Sequence, residues 1–288
     1  MGNKKFGDRR DGTRLKSSGF EKIWFSLKNK RSENEVHILK EIDVTELKKY
    51  YDKIKKDNDK ITYFHLFSTA VAKIIYNNSK LNRFVINGNC YMRNEVTLSY
   101  VAKTAFTDDA GELFTVMRVS DDDTLCSISD KIFGDVKKIR NNQGSNTDDF
   151  MDSLKMLPKF LVKIVTWIVK ILDNHDLLPK SLTDGSVYHS TVLLSNLGSI
   201  HCDGIYHNLT NFGTNSIVVT IGEIKESVRV INGEIKKRYV CSFGITLDER
   251  IADGVYFAKC VNMLEYISNN PLLLEGRVDD KVDIIQYK

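Results

Sequence analysis

Proline is nearly missing: three residues in 288. That leaves no proline-rich linker, and the length then suits one large domain or two small ones. The five cysteines (Cys90, Cys126, Cys202, Cys241, Cys260) are an odd number with no C-x-x-C pair. A disulfide framework and a cysteine zinc site are both disfavoured, and reduced thiols in a cytoplasmic protein are the expectation. No apolar h-region follows Met1, since residues 1–16 are charged and glycine-containing, so a secretory signal is not expected. A large charge excess is also lacking: 42 basic against 38 acidic residues give +4, evenly spread, which argues against a nucleic-acid partner. No glycine-rich phosphate loop, metal-ligand spacing, internal repeat or low-complexity segment occurs. What remains is an ordinary globular composition, 42% apolar and 28% charged, enough for a sizeable core.

Residues 1–18 are charged with almost nothing apolar, and they predict a mobile arm or one that orders only against a partner. The domain proper, 19–288, opens on Phe20, Ile23, Trp24 and Leu27 at helical spacing. A strand is expected at 36–42, a helix at 44–56, and a strong helix at 62–77 striped by Phe64, Phe67, Val71, Ile74 and Ile75. The period then changes to two. Residues 83–92 form a hairpin on Asn87-Gly88, suited to a type I′ turn, and strands at 96–104 and 113–119 flank an acidic turn at 108–111. A polar helix at 125–140 leads to a flexible loop at 141–149. Residues 157–172 are apolar but carry Lys159, Lys163 and Lys170, which makes them too short and too charged to span a bilayer. They read as an amphipathic helix covering a subunit contact or substrate channel, or lying on a membrane surface. Strands follow at 191–194 and 216–221, the latter ending at Gly222. A long hairpin on Asn232-Gly233 and a closing helix at 255–268 complete the domain. Antiparallel hairpins intermixed with helices indicate an α+β layered sheet, not a doubly wound parallel one.

The chemistry gathers where the strand ending at Leu247 reaches Asp248-Glu249-Arg250-Ile251-Ala252-Asp253-Gly254. With Asn87-Gly88, Ser195-Asn196-Leu197-Gly198, Ile221-Gly222 and Asn269-Asn270-Pro271-Leu272-Leu273-Leu274, this stretch resembles one family. That family is the catalytic domain of the acyltransferase subunits of 2-oxoacid dehydrogenase complexes, which shares its fold with chloramphenicol acetyltransferase. The likeness runs from about residue 35 to 276, and the signature is D-H-R-x-x-D-G. Six of its seven positions are compatible here; the family's catalytic histidine is Glu249. No lipoyl domain or Ala/Pro-rich swinging arm is seen, so membership of a dehydrogenase complex is not implied.

The resemblance implies a mixed sheet with flanking helices, and a homotrimer with active sites at subunit interfaces. It also implies an acyl-coenzyme A or acyl-carrier donor, with coenzyme A as co-substrate and not a tightly held cofactor. It assigns Ser195 as the hydroxyl that stabilises the oxyanion. Asp253, followed by Gly254, would hold the loop through an arginine, with Arg14 and Arg31 as candidates. Asn196 and Arg250 support the same stretches. The residues themselves also allow plainer roles: Ser195 can satisfy a turn, and Asp253 can simply cap the helix after it. Glu249 reads as a substitute base, a structural ion-pair residue or a solvent-facing charge, and a carboxylate is about two pKa units weaker than an imidazole. His201 and His207 are alternative bases, whereas His201-Cys202-Asp203 is adjacency and not a triad. Three functions follow: coenzyme A-dependent acyl transfer to an unknown acceptor with an altered base, an inactive trimeric homologue serving as a binding or scaffold module, or a peripheral membrane or lipid-acyl protein using residues 157–172.

Overall fold

The computed structural model describes residues 9–103, 112–140 and 157–284. The expected turn at 108–111 and loop at 141–149 lie outside the described residues. Nine strands are assigned among those described: β1 (Gly12–Arg14), β2 (Glu35–Asp43), β3 (Arg83–Ile86), β4 (Asn89–Arg93), β5 (Val96–Lys103), β6 (Glu112–Val119), β7 (Val192–Asn196), β8 (Ile217–Ile231) and β9 (Glu234–Asp248). The helices are α1 (Gly19–Leu27), α2 (Thr45–Ile54), α3 (Tyr63–Asn77), α4 (Leu125–Arg140), α5 (Lys159–Asn174), the short α6 (Lys180–Thr183) and α7 (Gly254–Asn269).

Six strands form one mixed sheet in the order β2-β9-β8-β7-β5-β6. The pairs β5–β7 and β7–β8 are parallel and the others antiparallel. Period-two alternation divides its two faces. Leu98 and Tyr100 of β5, Val192 and Leu194 of β7, Ile217, Val219 and Ile221 of β8, and Phe243, Ile245 and Leu247 of β9 are all buried in the main core. They meet the apolar stripes of α3 (Leu66, Phe67, Ile74) and α7 (Phe257, Val261, Leu264). The opposite parity, which includes Val101, Leu193, Ser195 and Val218, lines a cavity on the other face.

Several local rules act at the ends of elements. Ser18 and Glu21 form a reciprocal capping box at the start of α1. Asn87 and Gly88 both take positive φ, 48° and 69°, as a type I′ turn needs. β8 does not stop at Gly222 as expected. A register shift between Ile221 and Ile224 absorbs the extra residues, and the strand continues to Ile231.

Residues 9–14 depart from the expected mobile arm, and residues 1–8 lie outside the described residues. Gly12, Thr13 and Arg14 pair with Arg93, Met92 and Tyr91, making a three-stranded sheet β1-β4-β3. Arg9 is 2% exposed, bonded to Asp11 at 2.8 Å and to the Asp173 carbonyl at 2.5 Å. Charge in this segment meets buried partners within the same chain, which a solvated-arm reading of the sequence does not anticipate.

Helix α5 keeps its C-terminal end fixed. Asp173 is buried, within 2.9 Å of His189 Nε2, and accepts from the Gly213 amide at 3.1 Å. Its outer side chains, Phe160, Ile164, Trp167 and Ile168, are exposed. No helix among the described residues is long and apolar enough to cross a membrane.

His65 of α3 is buried with Nδ1 unpartnered, and burial pushes its imidazole down from 6.5 to about 4. The unfolded chain therefore takes up the proton first. Stability should hold above pH 6.5 and fall by about 3 kcal/mol as pH drops from 6.5 to 4. Urea denaturation across this range should show that loss, and His65→Gln should flatten it.

Candidate active site

The signature turn is built from the end of β9. Asp248 is fully buried and is held by the adjacent Arg250, whose Nε and Nη2 donate to its two carboxylate oxygens at 2.8 and 2.7 Å. Arg31 Nε lies 3.7 Å from the same carboxylate, and Arg31 donates to the carbonyls of Thr210 and Gly213 at 2.5 and 2.8 Å. Arg250 also donates to the Asn29 carbonyl at 3.1 Å. Burial pushes the Arg31 guanidinium down to about 10, with the Asp248 carboxylate opposing the shift. These contacts tie the turn to residues 28–31 and to the chain at 210–213.

This corrects the expected pairing of Asp253. Arg31, one of its two candidate partners, goes to Asp248. Arg14 bonds Asn89. Asp253 is exposed and caps α7, accepting from the Tyr256 amide at 2.9 Å, with Gly254 as the helix's first residue. Which of the signature's two aspartates is buried depends on where β9 ends and α7 begins, and the sequence alone cannot weigh that.

Glu249 faces an ammonium. Its Oε1 lies 3.2 Å from Lys28 Nζ, which itself stacks over the Trp24 ring at 4.4 Å. It does not line the cavity that contains Ser195.

That cavity, about 380 Å³, lies on the face of the sheet away from the core, and Ser195, His207, Tyr188, Thr210 and Asn215 are among its walls. Ser195 sits opposite Thr220 in the parallel β7–β8 register. The chain from Cys202 to Ser216 crosses this face of the sheet, pinned where Ile205 N–H donates to Thr220 Oγ1 at 2.9 Å and Gly204 N–H donates to Ser242 Oγ at 2.8 Å. Gly244 allows the crossing, since a β-carbon there would collide with the Ile205 carbonyl oxygen. The crossing brings His207 to the cavity. His207 Nδ1 lies 2.9 Å from the Asn208 carbonyl, which can only accept, so Nδ1 carries the hydrogen and Nε2 of the neutral ring has a free lone pair. His201 does not line the cavity. It is exposed, takes a left-handed conformation (φ 56°), and bonds Glu223 at 2.7 Å. Asn196 is exposed and accepts from Ser199 Oγ through its carbonyl.

A larger cavity of about 480 Å³ lies beside Arg10, Arg118 and Asp184. Its acidic walls are engaged by arginines, in the pairs Arg10–Asp176, Arg118–Glu95 and Arg118–Asp184. Neither Ser195 nor the signature turn reaches it. Tyr188, Thr210 and Asn215 had no signal in the sequence, because they come from stretches without periodicity that only the fold brings to the sheet.

Residues 169–275 match the family described as 2-oxoacid dehydrogenases acyltransferase (catalytic domain). The fold is that of the acyltransferase core. The cubic core of the pyruvate dehydrogenase multienzyme complex aligns with a TM-score of 0.61 at 15% identity, over 91% of this chain and 93% of that one. Chloramphenicol acetyltransferase aligns with a TM-score of 0.52 at 11% identity, over 88% and 98%. At these identities the likeness concerns the acyltransferase fold alone. In sequence, the dihydrolipoyllysine-residue acetyltransferase component of the pyruvate dehydrogenase complex of Mycoplasma capricolum is 28% identical over 93 residues, 32% of this chain. The match spans 21% of that relative's length.

Replacing Asp248 by Asn should leave the buried Arg31 and Arg250 without their carboxylate. Loss of one partner of such a cluster costs about 3 to 5 kcal/mol. Equilibrium denaturation should show that loss, while Asp253→Asn, which keeps a capping side chain, should change stability by less than about 1 kcal/mol.

Proposed function

We propose that the protein transfers an acyl group from a coenzyme A thioester, or an acyl carrier, to a thiol or hydroxyl acceptor, with His207 as general base in place of Glu249. The observation that carries this reading is that one cavity is lined by both the Ser195 hydroxyl and an imidazole whose Nε2 is free to accept a proton. His207 Nε2 takes the acceptor's proton as its sulfur or oxygen bonds to the thioester carbon. Ser195 donates to the oxyanion that forms. The carbon–sulfur bond then breaks, and the proton passes from His207 to the departing thiolate. The chain acts in the cytoplasm as a homotrimer, consistent with its resemblance to oligomeric acyltransferase cores.

The contrary reading, an inactive trimeric scaffold, draws on the Lys28–Glu249 pair, which occupies the carboxylate that stands in for the family's histidine. Turnover of acetyl-coenzyme A with dihydrolipoamide as acceptor separates the two. Ser195→Ala should lower kcat by about a hundredfold to a thousandfold, and His207→Gln by about a hundredfold or more. Glu249→Gln should change it by less than about tenfold, since a weak base already paired to an ammonium has little to lose. If Glu249→Gln abolishes turnover and His207→Gln does not, Glu249 is the base. A wild-type protein that neither binds coenzyme A by calorimetry nor turns over leaves the scaffold reading.

A further inference from the structure

Helix α5 divides into three strips. Leu161, Val162, Val165, Val169 and Leu172 are half-buried and face the body of the protein. Phe160, Ile164, Trp167, Ile168 and Ile171 are exposed, Phe160 and Trp167 by 63% and 64%. At 100° per residue these five share an arc of about 100°. Lys159, Lys163 and Lys170 are exposed and fall together along one edge of that arc, and residues 159–172 contain no acidic side chain. The helix is apolar inward and outward, with one row of positive charge between the two apolar strips.

The outward strip is held in place. Asp173 anchors the C-terminal end through His189, the Gly213 amide and Arg9. Exposed Leu157 and Leu177 extend the apolar surface beyond both ends of the helix, and Lys180 follows.

We propose that this face docks the protein on the surface of a bilayer carrying anionic headgroups, with Trp167, Phe160 and the isoleucines in the acyl boundary and the lysine row at the headgroups. The chemistry is that of an interfacial helix: large aromatic and branched side chains on one arc, ammonium groups at its rim, and a length that lies on a membrane but does not cross it. Charge favours this occupant over a second copy of the same helix, which offers no carboxylate to three lysines. The inference does not depend on the acyl-transfer reading, because neither Ser195 nor His207 lies on this helix.

The test is co-sedimentation of the whole protein with vesicles of phosphatidylcholine alone, and of phosphatidylcholine with phosphatidylglycerol. Binding should favour the anionic vesicles and weaken as salt rises. In a Trp24→Phe background, the remaining Trp167 emission should shift to the blue on binding. Lys159→Glu, Lys163→Glu and Lys170→Glu together should lower affinity for anionic vesicles by about a hundredfold, from about 1 kcal/mol per lysine. Ile164→Ser with Trp167→Ser should abolish binding to both kinds of vesicle, with unchanged thermal melting as the check on folding. The proposal fails if the wild-type protein stays in the supernatant with both vesicles. It also fails if the Ile164/Trp167 variant binds vesicles as wild type does, and dissociation of that variant's oligomer, measured by light scattering, would then assign the face to a second copy.

Discussion

Asp248 has no contact with solvent, yet two guanidinium groups close around it, and the chain on both sides of the site depends on that arrangement. A buried carboxylate without partners would cost several kcal/mol, and two buried arginines without it would cost more. Each arginine uses its remaining donors on backbone carbonyls: Arg250 on the chain at residue 29, and Arg31 on the chain at 210 and 213. The segment that follows α1, the end of β9 and the crossing chain beneath the cavity are thereby fastened at one point. The turn at 248–254 serves here first as a structural clamp.

Most of the architecture was legible in the sequence because it rests on local periodicity. The stripe of Phe67, Val71 and Ile74 marked α3, and Asn87-Gly88 and Asn232-Gly233 marked both hairpins. What failed to show were contacts between distant stretches. Arg9 and Asp11 look like solvated charge, and only the fold brings Asp173 and Phe84 beside Arg9. Gly222 looks like a strand end, and only pairing with β9 turns it into a bulge.

The candidate site was half legible for the same reason. Ser195 lies on a strand whose alternation fixes which face its side chain takes. Of the two alternative histidines, no local pattern could choose, since irregular chain separates them. The choice is made by the two side-chain bonds that route the chain across the sheet: both histidines are exposed, but His207 lines the cavity and His201 does not. Likewise the aspartate of the signature that takes an arginine is the first and not the last, because the last caps the helix that follows.

Gly244 has a consequence that reaches beyond its own strand. Since no side chain fits between β9 and the Ile205 carbonyl, strand and crossing chain behave as one mechanical part. His207 follows closely on that contact, so its placement is inherited from the sheet and not from loop flexibility. A larger residue at 244 would act as a remote wedge: it would leave Ser195 on its strand and lift the imidazole away. Ser195 and His207 would come apart across the cavity without any change to either side chain.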